Sequence, residues 1–392
     1  GGQKEAKVAD IQTLQKLISG LSAHSLKQPF NSADFYVFGK TLGEGAYGKV
    51  KLGTHLLTDE KVAVKTFEKS KLTESHARKR VAREIRILKA LDHPHIIKLF
   101  EVLDVPARKY LIMEFSSGGD LCRYVREQRR LSDHESCRLF CQIVRGLAYC
   151  HACGIVHRDV KLDNLLIDSN KNVKIVDFGF SVSFQEGTKL RKACGSPSYA
   201  APEIVSRKPY SPTGVDVWSL GVVLYAMVCG YFPFQGSNNQ ELCRRIVKGK
   251  FECPGFMADE CKKLVRMMLT VQADQRISLQ DAAEHPWCAN TMRSTQHLYP
   301  PSMNPPTAID AEKSEDSVEG GAGGARGERT DEGVLASVVQ LGFREDYARA
   351  CVERNMHNVC GTTYWLLSHR KAQADQKPPQ PPPQQPAKRM MV

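Results

Sequence analysis

The stretch HRDVKLDN, residues 157–164, decides the fold and the chemistry expected of this chain. It follows a long segment of helical periodicity, Ser132 to Cys150, and precedes a short apolar run. Asp159 in this loop is expected to orient an attacking hydroxyl and accept its proton, and Lys161 to neutralise a phosphoryl group during transfer. Asn164 is expected to bind one Mg²⁺ through its amide oxygen. The loop therefore predicts phosphoryl transfer.

Two further motifs place charged side chains on strands. Asp177 of DFG follows the apolar run Val173 to Val176, so its carboxylate is expected at a strand end, where it can bind a second Mg²⁺. Lys65 ends VAVK, and burying it unpaired among apolar neighbours would be costly. Its expected partners are nucleotide phosphates and Glu84 on the helical segment that follows.

The glycine-rich segment GEGAYGKV, residues 43–50, has the pattern GxGxxGxV. The pattern alone is weak, because dinucleotide-binding folds also use GxGxxG. Here a strand rather than a helix follows, which favours a hairpin whose backbone N–H groups approach triphosphate oxygens. The predicted cofactors are therefore ATP and Mg²⁺.

These motifs, closed by Ala201-Pro202-Glu203, occur in an order that chance does not explain, and residues 35–287 resemble the eukaryotic protein kinases. CGSPSYAAPEI (194–204) and HPHIIKL (93–99) resemble the catalytic subunit of AMP-activated protein kinase and the sucrose-nonfermenting-related kinases. The resemblance implies an α+β, bilobal kinase fold with a β-rich N-lobe and an α-helical C-lobe. It implies Met113 as gatekeeper, and an ATP site made of Leu42, Gly43, Gly45, Gly48, Val50, Ala63, Lys65, Met113, Glu114 and Ser116. Glu203 is expected to pair with Arg276 in a structural role.

The resemblance also implies a protein serine/threonine kinase that acts on substrates with a basic residue upstream of the acceptor. Asp120 and Asp163 are expected to bind an Arg or Lys three residues before it, through charge-assisted hydrogen bonds. The competing view is that both are solvated surface acids. Phe180 matches families that prefer Ser over Thr, and Ser196 resembles the hydroxyl that links Asp159 to Lys161.

The alternative function is a catalytically silent pseudokinase or scaffold. The sequence gives it little support, because the residues required for catalysis are all present: Lys65, Glu84, Asp159, Asn164 and Asp177.

The activation segment departs from the kinase pattern at one position. Relatives carry an activating Thr where this chain has Lys192, and Arg158 normally awaits the phosphate on that Thr. Three explanations remain open: a loop ordered without phosphate, a substitute phosphate on Thr188 or Ser196, or a partner that orders the loop. A regulatory subunit and an upstream kinase both stay open as partners. Ser196 is the poorer candidate, because a phosphate there would block its structural role.

Composition divides the rest of the chain. Residues 1–34 carry an amphipathic helix, expected to dock on the kinase lobe, with a partner-binding or autoinhibitory arm as the alternative. Residues 288–331 have a linker composition, and 372–392 form a Pro/Gln-rich tail. Residues 332–371 predict three short helices and resemble ubiquitin-associated-like or autoinhibitory modules. We expect this domain to pack on the back of the lobes and to bias the Glu84 helix.

Charge and cysteine content restrict the expected partners, metal sites and cellular compartment. The net charge is +12, and the densest basic run is Lys69 to Lys89. Its apolar residues recur at helical spacing, so we expect an amphipathic helix with a solvated basic face and no nucleic-acid partner. The thirteen cysteines include one CxxC pair, Cys150 and Cys153, without a second pair for zinc. This pattern favours a reducing compartment, the cytoplasm or also the nucleus. No segment approaches the length of a membrane span.

Overall fold

The computed structural model describes residues 11–22, 32–45, 48–293 and 330–375. Most of the predicted linker and tail lies outside the described residues. So do Val8 of the N-terminal segment, and Ala46 and Tyr47 of the glycine-rich segment. Within them, a sheet-rich small lobe precedes a helical large lobe, and three helices follow, so the predicted fold class is confirmed.

The small lobe is a five-stranded antiparallel sheet in the order β1-β2-β3-β5-β4. Its elements are α1 (Ile11–Ser19), β1 (Tyr36–Gly45), β2 (Gly48–His55), β3 (Glu60–Glu68), α2 (Ser75–Ala90), β4 (Leu99–Asp104) and β5 (Arg108–Glu114). Helix α2 buries Val81, Glu84, Ile85 and Leu88 at helical spacing. The basic run predicted to be an amphipathic helix therefore directs Glu84 inward.

Strand β3 has apolar side chains on both faces of the sheet, so both faces must be covered. Val62 and Val64 are buried in the outer cluster, whereas Ala63 and Lys65, which alternate with them, line the cleft. A strand that is apolar on both faces is typical of a sheet covered on both sides.

The large lobe is built around one long apolar helix, α6. Its helices are α3 (Leu121–Gln128), α4 (Asp133–Ala152), α5 (Pro202–Val205), α6 (Pro212–Cys229), α7 (Asn239–Lys248), α8 (Asp259–Met268), α9 (Leu279–Glu284) and α10 (Pro286–Arg293). Four short strands form two antiparallel pairs: β6 (Ile155–Val156) with β9 (Val182–Ser183), and β7 (Leu165–Ile167) with β8 (Val173–Ile175). We expected no segment to approach the length of a membrane span, yet α6 could cross a membrane by length and composition. However, 83% of its residues are buried inside the fold, as in a core helix.

The last three helices cover the outer face of the sheet. They are α11 (Glu332–Gln340), α12 (Glu345–Glu353) and α13 (Val359–Asp375), the last of which continues beyond the predicted end at residue 371. Their buried residues, among them Phe343 and Tyr347, form one cluster with Val62 and Val64 of the sheet. Helix α13 packs directly against β4.

Helix α1 joins the same cluster. Leu14 and Ile18 are fully buried in it, whereas Ile11 and Leu17 stay exposed. A Cβ built on Gly342 would lie 3.6 Å from Ile18, so α1 lies against the turn between α11 and α12. The apolar face predicted for the N-terminal helix is thus only partly buried.

Candidate active site

A cleft between the lobes encloses a cavity of about 610 Å³. Every predicted ATP-site residue lines it: Leu42, Gly43, Gly45, Gly48, Val50, Ala63, Lys65, Met113, Glu114 and Ser116. Leu166 and Val176 also line it, although the sequence analysis did not select them. Their positions close to Asn164 and just before Asp177 were the signal that could have identified them.

The hinge side of the cavity is set by β5. Met113 is buried and lies opposite Ala63 on one neighbouring strand and Leu99 on the other. The Glu114 carboxylate is 2.7 Å from Lys174 Nζ, so this side chain stabilises the fold rather than facing a nucleotide. Ser116 Oγ is buried in the cavity wall and has no hydrogen-bond partner among the described residues. A bound polar ligand would satisfy it, which fits the predicted nucleotide.

The glycines of the hairpin are needed for different reasons. A Cβ at Gly48 would lie 1.6 Å from Thr66 O of β3, which the fold cannot accommodate. A Cβ at Gly43 would meet nothing within 4 Å. Gly48 is therefore required by strand packing, whereas any requirement at Gly43 must come from a ligand.

Lys65, Glu84 and Asp177 meet at one point in the cleft. Lys65 Nζ lies 2.5 Å from Glu84 Oε1 and 3.2 Å from Asp177 Oδ1. Burial opposes the charge on Lys65, but the two carboxylates outweigh it and raise the lysine pKa. For Asp177 burial is likewise outweighed by Lys65, so its pKa is lowered. Lys65 and Asp177 are therefore charged at neutral pH.

Asp159 is held by its neighbours on both carboxylate oxygens. Oδ1 accepts from the backbone N–H and the hydroxyl of Ser196, at 3.1 and 3.2 Å. Oδ2 lies 2.9 Å from Lys161 Nζ and accepts from Asn164 Nδ2 at 2.9 Å. Lys161 Nζ also donates to Ser196 Oγ at 3.1 Å. Ser196 thus links the acid and the lysine of the loop.

Asn164 and Asp177 fit a hard cation. Both line the cavity, and the Asn164 amide group donates to Asp159, which leaves its oxygen directed elsewhere. In the described part of the chain no hydrogen bond engages Asn164 Oδ1 or the second oxygen of Asp177. Oxygen ligands of this type suit Mg²⁺. No group of three His, Cys, Asp or Glu suited to a metal occurs among the described residues, and so none at Cys150 and Cys153.

The catalytic loop rests on Asp216 of α6. Its buried carboxylate accepts from the backbone N–H groups of His157 and Arg158, at 2.9 and 2.8 Å. These bonds hold Arg158 at a φ of +65°, which is unusual for a residue with a side chain. The centres of the His157 and Phe178 rings lie 4.9 Å apart. The loop and the DFG turn are therefore supported from the same core helix.

Asp120 and Asp163 converge at the mouth of the cleft. Both line the cavity. Burial is the main cause of the raised pKa of the Cys122 thiol, and the negative charges of Asp163 and Asp120 raise it further. Asp120 Oδ1 also caps α3 by accepting from Arg123 N–H at 2.7 Å. Asp163 is exposed. The structure places both acids at the same cavity, and Asp120 has a structural role besides.

The predicted activation-segment residues lie outside this cavity. Thr188 is exposed and lines a separate surface cavity with Phe184 and Ser211. Lys192 is exposed as well. Glu203 forms the predicted pair with Arg276, through bonds of 2.8 and 3.0 Å in the large lobe. Its role is structural and not part of the cleft.

The fold and this arrangement of charged groups define a protein kinase domain. The family model of the protein kinase domain matches residues 36–288, and the chain belongs to that family. It is 38% identical over 338 residues to SNF1-related protein kinase catalytic subunit alpha KIN12 of Arabidopsis thaliana, which is 86% of this chain and 64% of that protein. It is 37% identical over 349 residues to the serine/threonine-protein kinase SIK3 homolog of Danio rerio, or 89% of this chain and 28% of the relative.

A third relative matches a shorter part of the chain at higher identity. The probable serine/threonine-protein kinase MARK-A of Dictyostelium discoideum is 44% identical over 257 residues, which is 65% of this chain and 24% of that protein. The chain thus spans less than two thirds of the length of each of these relatives. The predicted resemblance to SNF1-related kinases is confirmed.

Proposed function

We propose that this chain is a protein serine/threonine kinase that transfers the γ-phosphate of Mg-ATP to Ser, in preference to Thr, in peptides with an upstream basic residue. The observation that carries the proposal is that Lys65, Glu84, Asp177 and Asn164 line one cavity, where Lys65 binds both acids. Asn164 in turn binds the carboxylate of Asp159, which also binds Lys161.

The residues of the chain divide the chemical task between them. Lys65, held by Glu84, would bind the α- and β-phosphate oxygens, and Lys161 would neutralise the γ-phosphoryl group as it moves. The substrate hydroxyl attacks the γ-phosphorus, the bond to the bridging oxygen of ADP breaks, and Asp159 accepts the hydroxyl proton. Asn164 and Asp177 would hold Mg²⁺, which supplies positive charge beside the phosphates when bound.

Substrate selection would depend on the two acids at the cleft mouth. An arginine side chain placed between Asp120 and Asp163 could form charge-assisted hydrogen bonds with both, and a lysine could form fewer. Phe180, directly after the DFG motif, supports a preference for Ser by resemblance to other kinases.

The test is phosphotransfer by protein produced in bacteria and shown by mass spectrometry to carry no phosphate. The substrate is a peptide with Arg three residues before Ser, compared with the same peptide carrying Ala there. Transfer by the wild type, lost in Asp177→Ala, supports the proposal. Silence that persists after incubation with cell extract, together with failure to bind Mg-ATP, would favour the pseudokinase or scaffold instead.

Regulation by the C-terminal helices is part of the proposal. Helix α13 packs on β4, and α2, which carries Glu84, packs on the same strand. A movement of the C-terminal domain would shift β4, and because α2 packs on β4 it would change the position of Glu84 relative to Lys65.

A further inference from the structure

Protein oxygens bind the Arg158 guanidinium, the group that in relatives awaits a phosphate. Arg158 Nε donates to Phe180 O at 2.9 Å, and Nη1 donates to the Tyr210 hydroxyl at 3.3 Å. The Tyr210 hydroxyl in turn donates to Lys192 O at 2.9 Å. A tyrosine hydroxyl can accept and donate at once, so Tyr210 bridges Arg158 to the backbone at the very position where relatives carry the phosphate.

Tyr210 is itself firmly placed against the activation segment. It is 2% exposed, and its backbone exchanges two hydrogen bonds with Leu190, at 2.9 and 3.0 Å. Burial raises the pKa of its hydroxyl, so the group stays protonated and able to donate. Residues 190–192 are therefore attached to Tyr210 at three points, none of which uses the Lys192 side chain.

The same arginine is connected to the helix that carries Glu84. The Arg80 guanidinium lies 3.9 Å from the centre of the Phe180 ring, and Arg158 binds the carbonyl of that residue. Arg80 and Glu84 are one turn apart on α2. Contacts thus run from α2 through Phe180, Arg158 and Tyr210 to Lys192.

We propose that Tyr210 is a positioning residue that orders the activation segment without a phosphate at position 192. This role of Tyr210 rests on the proposed kinase function, and it would allow the kinase to be active without phosphorylation at position 192. The two alternative hydroxyls are placed less well for this purpose. Thr188 lines a cavity separate from the one that Arg158 lines, and Ser196 Oγ is engaged by Asp159 and Lys161.

The experiment compares Tyr210→Phe with Tyr225→Phe in the full chain, free of phosphate by mass spectrometry. Tyr225 is a matched control because its hydroxyl also donates to a backbone carbonyl, Glu252 O, at 2.9 Å, but away from the activation segment. The measurements are kcat, the KM for ATP, and amide hydrogen exchange over residues 188–194. The hydroxyl bonds a charged group, so we expect Tyr210→Phe to lower kcat about tenfold with little change in the KM for ATP. Exchange should become faster in 190–194 for this variant alone.

Each outcome decides the matter. If Tyr210→Phe matches Tyr225→Phe in both kcat and exchange, the positioning role is wrong. It is also wrong if the wild type becomes active only once Thr188 or Ser196 is phosphorylated. If the wild type transfers no phosphate even after Thr188 or Ser196 is phosphorylated, but Tyr210→Phe still speeds exchange in 190–194, the kinase proposal fails while the ordering role of Tyr210 stands.

Discussion

The ammonium group of Lys98 lies 3.5 Å from the centre of the Trp365 ring, which attaches helix α13 to the start of strand β4. Two neighbouring contacts extend the attachment. The His357 ring nitrogen Nδ1 is 3.2 Å from Phe100 O, and Arg370 binds Thr58 O and Glu60. The C-terminal domain is thus bound to the small lobe by directional contacts as well as by the shared apolar cluster.

Replacing Trp365 with Ala should loosen this attachment. We expect a loss of about 1–3 kcal/mol in the free energy of unfolding, because both the cation–π contact and the packing of a half-buried ring are removed. We also expect kcat to fall, since β4 supports α2 and with it the Lys65–Glu84 pair. Chemical denaturation and peptide phosphorylation measure the two effects.

The control for that variant is Trp365→Phe, which keeps an aromatic face for Lys98. It should recover much of the stability and of kcat. Lower stability with an unchanged kcat in Trp365→Ala would mean that the domain serves folding alone.

Gly48→Ala should lower thermal stability, whereas Gly43→Ala should weaken ATP binding without lowering thermal stability. In Gly48→Ala the new methyl group collides with Thr66 O, so we expect a clear fall in melting temperature, equivalent to about 1–3 kcal/mol. In Gly43→Ala the methyl group meets no protein atom within 4 Å, so the melting temperature should hold while the KM for ATP rises. Equal melting temperatures for the two variants would contradict the packing argument.

Glu101 should make stability depend on pH. It is almost fully buried and bonded to the Tyr36 hydroxyl at 2.7 Å, and burial raises its pKa from 4.5 to about 7. The unfolded chain ionises first as pH rises, so stability is full below about pH 4.5 and is lost progressively up to about pH 7. The shift corresponds to about 3 kcal/mol.

Glu101→Gln keeps an oxygen acceptor for Tyr36 and cannot ionise. The difference in unfolding free energy between variant and wild type, measured by chemical denaturation, should move in favour of the variant between pH 5 and pH 8. A difference that stays constant across this range would show that Glu101 does not titrate there.

Substitution of Asp120 tests the substrate proposal without removing a helix cap. In Asp120→Asn the amide oxygen can still accept from the Arg123 N–H, so the first turn of α3 should keep its cap and the free energy of unfolding should not change. Loss of the charge should raise the KM for the Arg-containing peptide about tenfold, while the Ala-containing peptide is little affected. An equal effect on both peptides would point to the competing view of a solvated surface acid.

The sequence by itself determined the fold class and the groups that face the cleft. Lys65, Asp159, Asn164 and Asp177 stand in short motifs on or next to strands, and the resemblance to protein kinases assigned them to one site. Lys65, Asn164 and Asp177 line the cavity, and Asp159 is bound to Asn164. The pair between Glu203 and Arg276 was also predicted from the motifs that carry the two residues, and the structure forms it.

Only the tertiary structure decided how the loop and the added helices are held. The bonds from Arg158 to Tyr210 and from Tyr210 to Lys192, the stacking of Arg80 on Phe180, and the contact of Lys98 with Trp365 join residues from separate elements. Their formation depends on the angles at which whole helices and strands pack. A motif specifies local geometry over a few residues, whereas these contacts exist only after the sheet, α2, α6 and α13 have buried their apolar faces together.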